Sequence, residues 1–309
     1  MFDYEYWGTN TLPISQNMAM EEYLLSRSAA SKVATVRFWN APKDSVVIGY
    51  GESKANIKHI DQSFDLARRI TGGSHVEFDK ACIAYSFTVP RDGSFKYFND
   101  MRKYFADILV NSLEKLGVED VYADNRASTV NVDQKVIASH AIFWGVDSAL
   151  LHGLLLVDHY EVDKIFERML LSERRIGRHT YSEYDALKSA PAASEIIKKA
   201  QGLSGAERTD AVKRMIADVV LLEATSGAHK NIGVTEDVLK KASRLVSSTH
   251  SDSRWLDMRT PQYKKEEVDA IPGESLDGKL KENLGYCMYI EVDDRSFSRM
   301  TLPKEELHD

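Results

Sequence analysis

The spacing of apolar positions divides the chain into a strand-rich first half and a more helical, more highly charged second half. In the segment ISQNMAMEEYLLSRSAA, Ile14, Met18 and Leu25 recur at helical spacing and Met20, Tyr23 and Leu24 widen the stripe, which predicts an amphipathic helix. Short runs rich in β-branched and aromatic residues follow at 35–39, 45–50, 75–78 and 82–89, punctuated by Pro42, Gly49, Gly51 and the pair Gly72-Gly73. A long helix is predicted over 97–116, stopped by Gly117, and three more strand-like runs lie near 128–132, 135–143 and 147–157.

From about residue 160 the pattern predicts helices over 160–169, 194–201, 207–223 and 235–247, then a last strand-like run at 286–292. The segment 170–196 holds Arg174, Arg175 and Arg178 with few apolar anchors and reads as a long mobile loop. A polar stretch between 248 and 275 carries two prolines and one glycine, with a second glycine at 278. It suggests a division into residues 1–250 and a short C-terminal segment, 251–309, too small for a substantial core of its own. Strands joined by short loops, with helices in separate blocks, indicate an α+β architecture of mixed sheets flanked by helices rather than an alternating βαβ one.

Composition narrows the function classes. Among 309 residues, 47 are acidic and 40 basic, a net charge of −7 that argues against an extended nucleic-acid footprint or a polybasic membrane anchor. No stretch approaches the roughly 18 consecutive apolar residues of a membrane span, and the start MFDYEYWGTN lacks a signal-peptide pattern. The expectation is a soluble cytoplasmic protein. The two cysteines, Cys82 and Cys287, are far apart and form no metal-binding or disulfide spacing. Both read as buried thiols.

The stretch DLARRITGGSHVEFDKACIAYSF, residues 65–87, places two arginines and two glycines beside a strand-like run. Consecutive glycines let backbone N–H groups approach a ligand, and unpaired N–H groups with arginines beside them suit phosphate or carboxylate oxygens. On spacing alone such a pair is most often a hairpin turn, and neither it nor GYGE at 49–52 is a phosphate loop or a dinucleotide fingerprint.

Its company is more specific. Four segments, NMAMEEYLL (17–25), RFWNAPKDSVVIGYGE (37–52), RRITGGSHVEFD (68–79) and QKVIASHAIFWGVDSALLHGLLLVD (134–158), together resemble the lipoate-protein ligase A family, relatives of biotin-protein ligases and octanoyltransferases. The resemblance spans about residues 5–170 and implies the biotin/lipoate protein ligase fold. It also implies an enzyme that activates lipoate or octanoate with ATP and Mg2+ to an acyl-adenylate and passes the acyl group to a lysine of a carrier. That carrier would be a lipoyl domain or a glycine-cleavage H-like protein, and a separate accessory subunit is a further partner of some family members.

Carried onto this chain, the resemblance makes Lys135 the catalytic lysine at the adenylate's carbonyl and phosphate oxygens. Arg69, Thr71, Gly72, Gly73, Ser74, Val76, Phe78, Asp79, His152 and Gly153 fall on the acyl- and adenylate-binding positions, and Arg175 and Arg178 on the loop that closes over the adenylate. By themselves, a lysine on an alternating strand is usually a solvent-facing residue, Asp79 reads equally as a turn residue, and His152 reads as a satisfied structural side chain.

The chain departs from the family pattern at Ser74 (usually glycine), Phe78 (usually histidine), Ala127-Ser128 (an Asn-Asp pair) and Ala138 (glycine). The missing carboxylate at 128 leaves the metal site unknown, with Asp124 or Asp133 as substitutes. A transferase moving an acyl group between carriers and a non-catalytic carrier-binding protein are the alternatives. The first lacks a cysteine in the region EDVYADNRAS, where octanoyltransferases carry theirs.

Overall fold

The computed structural model describes the chain except residues 1, 52–53, 55–56, 58–62, 74, 160, 162, 165–167, 169–186, 201, 252, 259–285, 294–295 and 302–309. Most of the helix expected over 160–169, the expected loop up to residue 186, Ser74, Arg175 and Arg178 therefore lie outside the described residues.

The strands in chain order are β1 (Tyr4–Thr11), β2 (Ala34–Asn40), β3 (Ser45–Ile48), β4 (Asp65–Arg68), β5 (Val76–Phe78), β6 (Cys82–Pro90), β7 (Val121–Asp124), β8 (Thr129–Val132), β9 (Lys135–Trp144), β10 (Ser148–Leu156), β11 (Lys230–Asn231), β12 (Tyr286–Asp293) and β13 (Ser296–Thr301). The helices are α1 (Ile14–Ser31), α2 (Phe98–Lys115), α3 (Ala193–Ile196), α4 (Gly205–Thr225), α5 (Glu236–Leu245) and α6 (Ser253–Met258), with a π-helical turn at Val246–His250 between the last two. The helix expected over 194–201 is shorter, because α3 ends at Ile196, whose neighbour Ile197 is extended, before a 3-10 turn at Lys198–Ala200.

A ten-stranded mixed sheet runs β11-β1-β2-β6-β10-β9-β12-β13, with β8 and then β7 added on β9; a three-stranded sheet runs β4-β3-β5. The α+β expectation of mixed sheets with flanking helices is met. Three pairs differ from the antiparallel pattern: β1 and β2 are parallel and are joined across α1, and β1–β11 and β3–β4 are also parallel.

Faces alternate along the central strands, and this separates two cores. Ala149, Leu151, Leu155 and Val157 of β10 and its end join Tyr85, Phe87, Phe105, Leu109, Ile216 and Val220 in the helix-side core under α2 and α4. Leu154 and Leu156 face the other way, toward Trp39, Phe78, Cys82, Ile14 and Met18. Helix α1 is packed on this second side, against β6, β10 and β4. Further along, Leu150 and Phe143 meet Leu25, Tyr50, Ile70 and Trp255. A continuous interlayer thus runs beneath α1 and the small sheet. Burial of this many apolar side chains is the main force holding the layers together.

Candidate active site

The glycine-pair stretch folds as the edge of the small sheet followed by a tight loop. Arg68 ends β4, and Arg69 to Gly73 turn back toward β5. The loop is pinned to β3 by Arg69 N–H to Ile48 O (3.1 Å) and by Tyr50 N–H to Thr71 O (2.9 Å). Gly49 and Gly73 approach so closely that a Cβ on Gly49 would overlap the Gly73 carbonyl. Glycine is required at 49 for that contact, and Gly73 itself has a φ of 89°, in the left-handed region. Gly49 and Tyr50 are therefore part of the loop's seat.

At the centre of the interlayer, all four of the motifs are joined by one hydrogen-bonded chain. Arg69 Nε donates to Thr71 Oγ1 at 3.0 Å, and Thr71 Oγ1 lies 2.6 Å from His152 Nε2. His152 Nδ1 bonds Glu21 Oε2, while Trp39 Nε1 donates to Glu21 Oε1 at 2.9 Å. The arrangement that uses each proton once has Arg69 donating to Thr71, Thr71 donating to His152 Nε2, and His152 Nδ1–H donating to Glu21. Thr71, Glu21 and Trp39 are almost fully buried, so each of these bonds works in a low-dielectric setting where an unpaired group would be costly.

Arg69 also donates to Gly72 O (2.7 Å from Nη2) and Val47 O (3.1 Å from Nη1), so much of its guanidinium is spent on shaping the loop. Arg37, wholly buried, donates to Asn17 Oδ1 (2.5 Å) and Asn10 Oδ1 (3.2 Å). Its burial lowers its pKa to about 10, opposed by the nearby Glu21 charge, and it remains a cation at neutral pH. Asn17 in turn donates to Leu12 O and Asn40 O, fixing α1 to the end of β2.

Phe78 stacks on Trp39 with ring centroids 4.7 Å apart, and Val76 packs against the same cluster. The aromatic at 78 extends the apolar wall of the interlayer. Gly153, next to His152 on β10, faces Tyr85 and Ser139; a Cβ there would overlap the Ser139 carbonyl oxygen and the Tyr85 hydroxyl. Its need is therefore close strand packing on the side opposite His152.

Strand register brings a second set of residues to one end of the large sheet. Leu155 pairs with Ala138 and Leu156 with Cys82, and Val157 and Asp158 donate to Ala81 O. Lys135, the first residue of β9, follows a two-residue turn in which Asp133 and Gln134 have φ of 47° and 63°. Lys135 is exposed, its ammonium makes no hydrogen bond or ion pair among the described residues, and no such bond links it to the Thr71–His152 chain.

Nearby in register, the Asp79 carboxylate accepts from Ala81 N (2.7 Å), the turn role open to it from sequence; burial raises its pKa. Lys213 on α4 donates to Asn40 Oδ1 (3.1 Å), and burial lowers its pKa. Cys82 is a buried thiol pushed up to about 12, chiefly by desolvation, which removes it as a nucleophile at neutral pH.

At the Asn-Asp position, Ser128 has a φ of 57° and its hydroxyl accepts from Arg102 Nη1 (3.1 Å). Asp124 accepts from the amides of Arg126 and Ala127, closing its own turn. Among the described residues no three metal-ligating side chains converge. No helix among them is long and apolar enough to cross a membrane.

Sequence reasoning named Arg69, Thr71 and His152, which the structure brings into one neighbourhood. It did not single out Glu21, Trp39, Asn17, Arg37 or Arg68 individually, although all five lie within the four motif segments and the motifs themselves were the available signal.

Residues 13–183 match the family model described as the lipoyl protein ligase A/B catalytic domain. Lipoate--protein ligase 1 of Staphylococcus aureus is 23% identical over 251 residues, covering 80% of this chain and 71% of that protein. A solved bipartite lipoate protein ligase from Thermoplasma acidophilum, reported with its E2 lipoyl domain, superposes with a TM-score of 0.66 at 19% identity, covering 86% of this chain and 99% of the other. A lipoate-protein ligase A bound with ATP gives a TM-score of 0.62 at 19% identity, covering 82% and 98%.

Proposed function

The chain belongs to the lipoyl protein ligase A/B catalytic family, and within it we propose that it activates lipoate with ATP to lipoyl-AMP and transfers the lipoyl group to a lysine of a lipoyl-carrier protein. The observation that carries this reading is the Arg69–Thr71–His152–Glu21 chain, in which three separated motifs converge on one buried loop. Such a loop, with its glycines against an apolar interlayer, offers both an apolar wall for an acyl tail and main-chain donors for an anionic head. Octanoate is the expected second acid. The carrier is a lipoyl domain, the class of partner described for the Thermoplasma ligase.

In this scheme the acyl carboxylate attacks the α-phosphorus of ATP, forming the acyl-adenylate and releasing pyrophosphate; the carrier amine then attacks the acyl carbon and AMP leaves. Lys135 places its ammonium where negative charge gathers on the phosphate oxygens, which an exposed, unpaired cation at a strand end is suited to do. Thr71 and His152 hold the loop in one conformation, so its amides are aimed before substrate arrives. Mg2+ would enter with the ATP phosphates, as is usual for this ion, and would supply charge neutralisation there; the serine at 128 contributes no carboxylate to it.

The buried, high-pKa Cys82 disfavours a thioester route. The test is ATP–pyrophosphate exchange with lipoate, octanoate or biotin. Lipoate-dependent exchange that falls by about 100-fold or more in Lys135→Ala supports the reading; exchange indifferent to Lys135, or none with any acid, overturns it.

A further inference from the structure

Arg68, the residue before the chain just described, looks toward the C-terminal part of the molecule. Its Nε donates to Trp255 O (3.0 Å) and Leu256 O (3.2 Å), and its Nη2 to Leu256 O (2.5 Å). In return, Trp255 Nε1 donates to Arg68 O at 3.0 Å. The other arm of the same guanidinium reaches Gly49 O (3.0 Å) and Tyr50 O (2.9 Å). One planar cation, 1% exposed, therefore ties together the end of β3, the start of the glycine loop and α6.

The docking is reinforced around it. Trp255 is completely buried among Leu25, Tyr50, Ile70, Phe143 and Leu150. Lys54 pairs with Asp257 at 2.7 Å. His250, in the π-helical turn, lies edge-on to Trp255 and has its Nε2 3.2 Å from Glu22 Oε1. From α1, Glu21 supports the loop through His152 and Thr71, while neither ring nitrogen of His250 has a hydrogen-bond partner among the described residues.

We propose that the turn Val246–His250 and helix α6 form an intramolecular brace that fixes the glycine loop for acyl-adenylate chemistry, with Arg68 and Trp255 as its positioning residues. A loop with consecutive glycines loses more conformational freedom on ordering than any other, so its geometry must be imposed by neighbours. The brace supplies that constraint at Arg68, three residues before Thr71, where the His152 bond supplies the other. The catalytic part of this inference rests on the ligase reading; the structural part does not.

Trp255→Phe tests it, because it keeps an aromatic ring in the buried pocket while removing the N–H to Arg68 together with the five-membered ring of the indole. Amide hydrogen exchange of residues 69–73 is expected to speed up by about five- to tenfold, the worth of one hydrogen bond, while exchange in β6 and β10 is unchanged. In ATP–pyrophosphate exchange the KM for lipoate is expected to rise by a similar factor, about five- to tenfold, with kcat within about twofold. Val220→Ala, in the helix-side core under α4, controls for general destabilisation and leaves loop exchange unchanged. Loop protection in Trp255→Phe equal to wild type overturns the brace whatever the activity. Faster loop exchange in Trp255→Phe, with no acid activation in the wild-type protein, keeps the brace and removes the ligase reading.

Discussion

Two buried histidines sit on neighbouring strands and have opposite situations. His152 of β10 pairs in register with Ala141, and Gly153 with His140 of β9, so the two imidazoles fall on opposite faces of the same sheet. His152 has both ring nitrogens bonded, one to Thr71 and one to Glu21. His140 has neither ring nitrogen partnered among the described residues, and burial, aided by the Arg102 charge, lowers its pKa to about 3. Burial alone makes a histidine neutral and inert. What separates His152 is that its partners arrive from residues 21 and 71, so the ring couples a helix, a loop and a strand that share no local sequence.

The sharpest way to break the comparison is at the glycine between them. In Gly153→Ala the new Cβ meets a main-chain oxygen that cannot move without disturbing the β9–β10 ladder. A loss of about 3 kcal/mol or more is expected in denaturant titration, taking both faces with it. Next is His152→Ala, which leaves Thr71 and Glu21 without their shared partner: a drop of about 100-fold in kcat/KM for lipoate is expected, measured by pyrophosphate exchange on folded protein.

His140→Leu should spare activity and change only acid stability. Because its folded pKa lies below the unfolded value of 6.5, the unfolded state binds the proton first as pH falls. Stability attached to neutral His140 is therefore full above about pH 6.5 and is lost on descending toward pH 3. The leucine variant is expected to flatten that acid limb by on the order of a few kcal/mol, read as the pH dependence of unfolding between pH 3 and 7. An activity loss in His140→Leu matching that of His152→Ala would erase the distinction.

Much of this architecture was legible because the elements concerned declare themselves locally. Helix α1 was expected over 14–30 and runs Ile14–Ser31, and α2, with Gly117 after it, was expected over 97–116 and runs Phe98–Lys115. Strands β6, β9 and β10 carry dense apolar runs. Strand β1, YEYWGTNT, went unread because Glu5, Gly8, Thr9 and Asn10 interrupt its pattern; it is held by pairing with β2 and by the Glu5–Arg27 ion pair to α1. Strand β4 is four residues long and ends in an arginine, a poor local signal for a strand whose last side chain is buried by residues 255 and 256.

The site shows the same division. Thr71 and His152 could be placed together through the motifs, but the bond between them and the Glu21 that fixes the ring are products of packing. The arginine pair was read as one anion cradle, whereas Arg68 faces α6 and Arg69 faces its own loop. Two adjacent identical side chains carry no sequence mark of which way each will turn.

The bond from Arg68 to residues 255 and 256 also orders events in time. A ribosome releases the β4 arginine long before it has made its tryptophan partner, which follows 187 positions later. Contacts of such wide sequence separation form slowly, after nearer ones have closed. During synthesis the strands of the great sheet from β1 to β11 and its helix layer can assemble while the glycine loop still lacks one of its supports. The loop then reaches its final shape only once nearly all of the described chain has emerged, so a nascent protein shortened before residue 255 would hold a folded core and an unfinished centre.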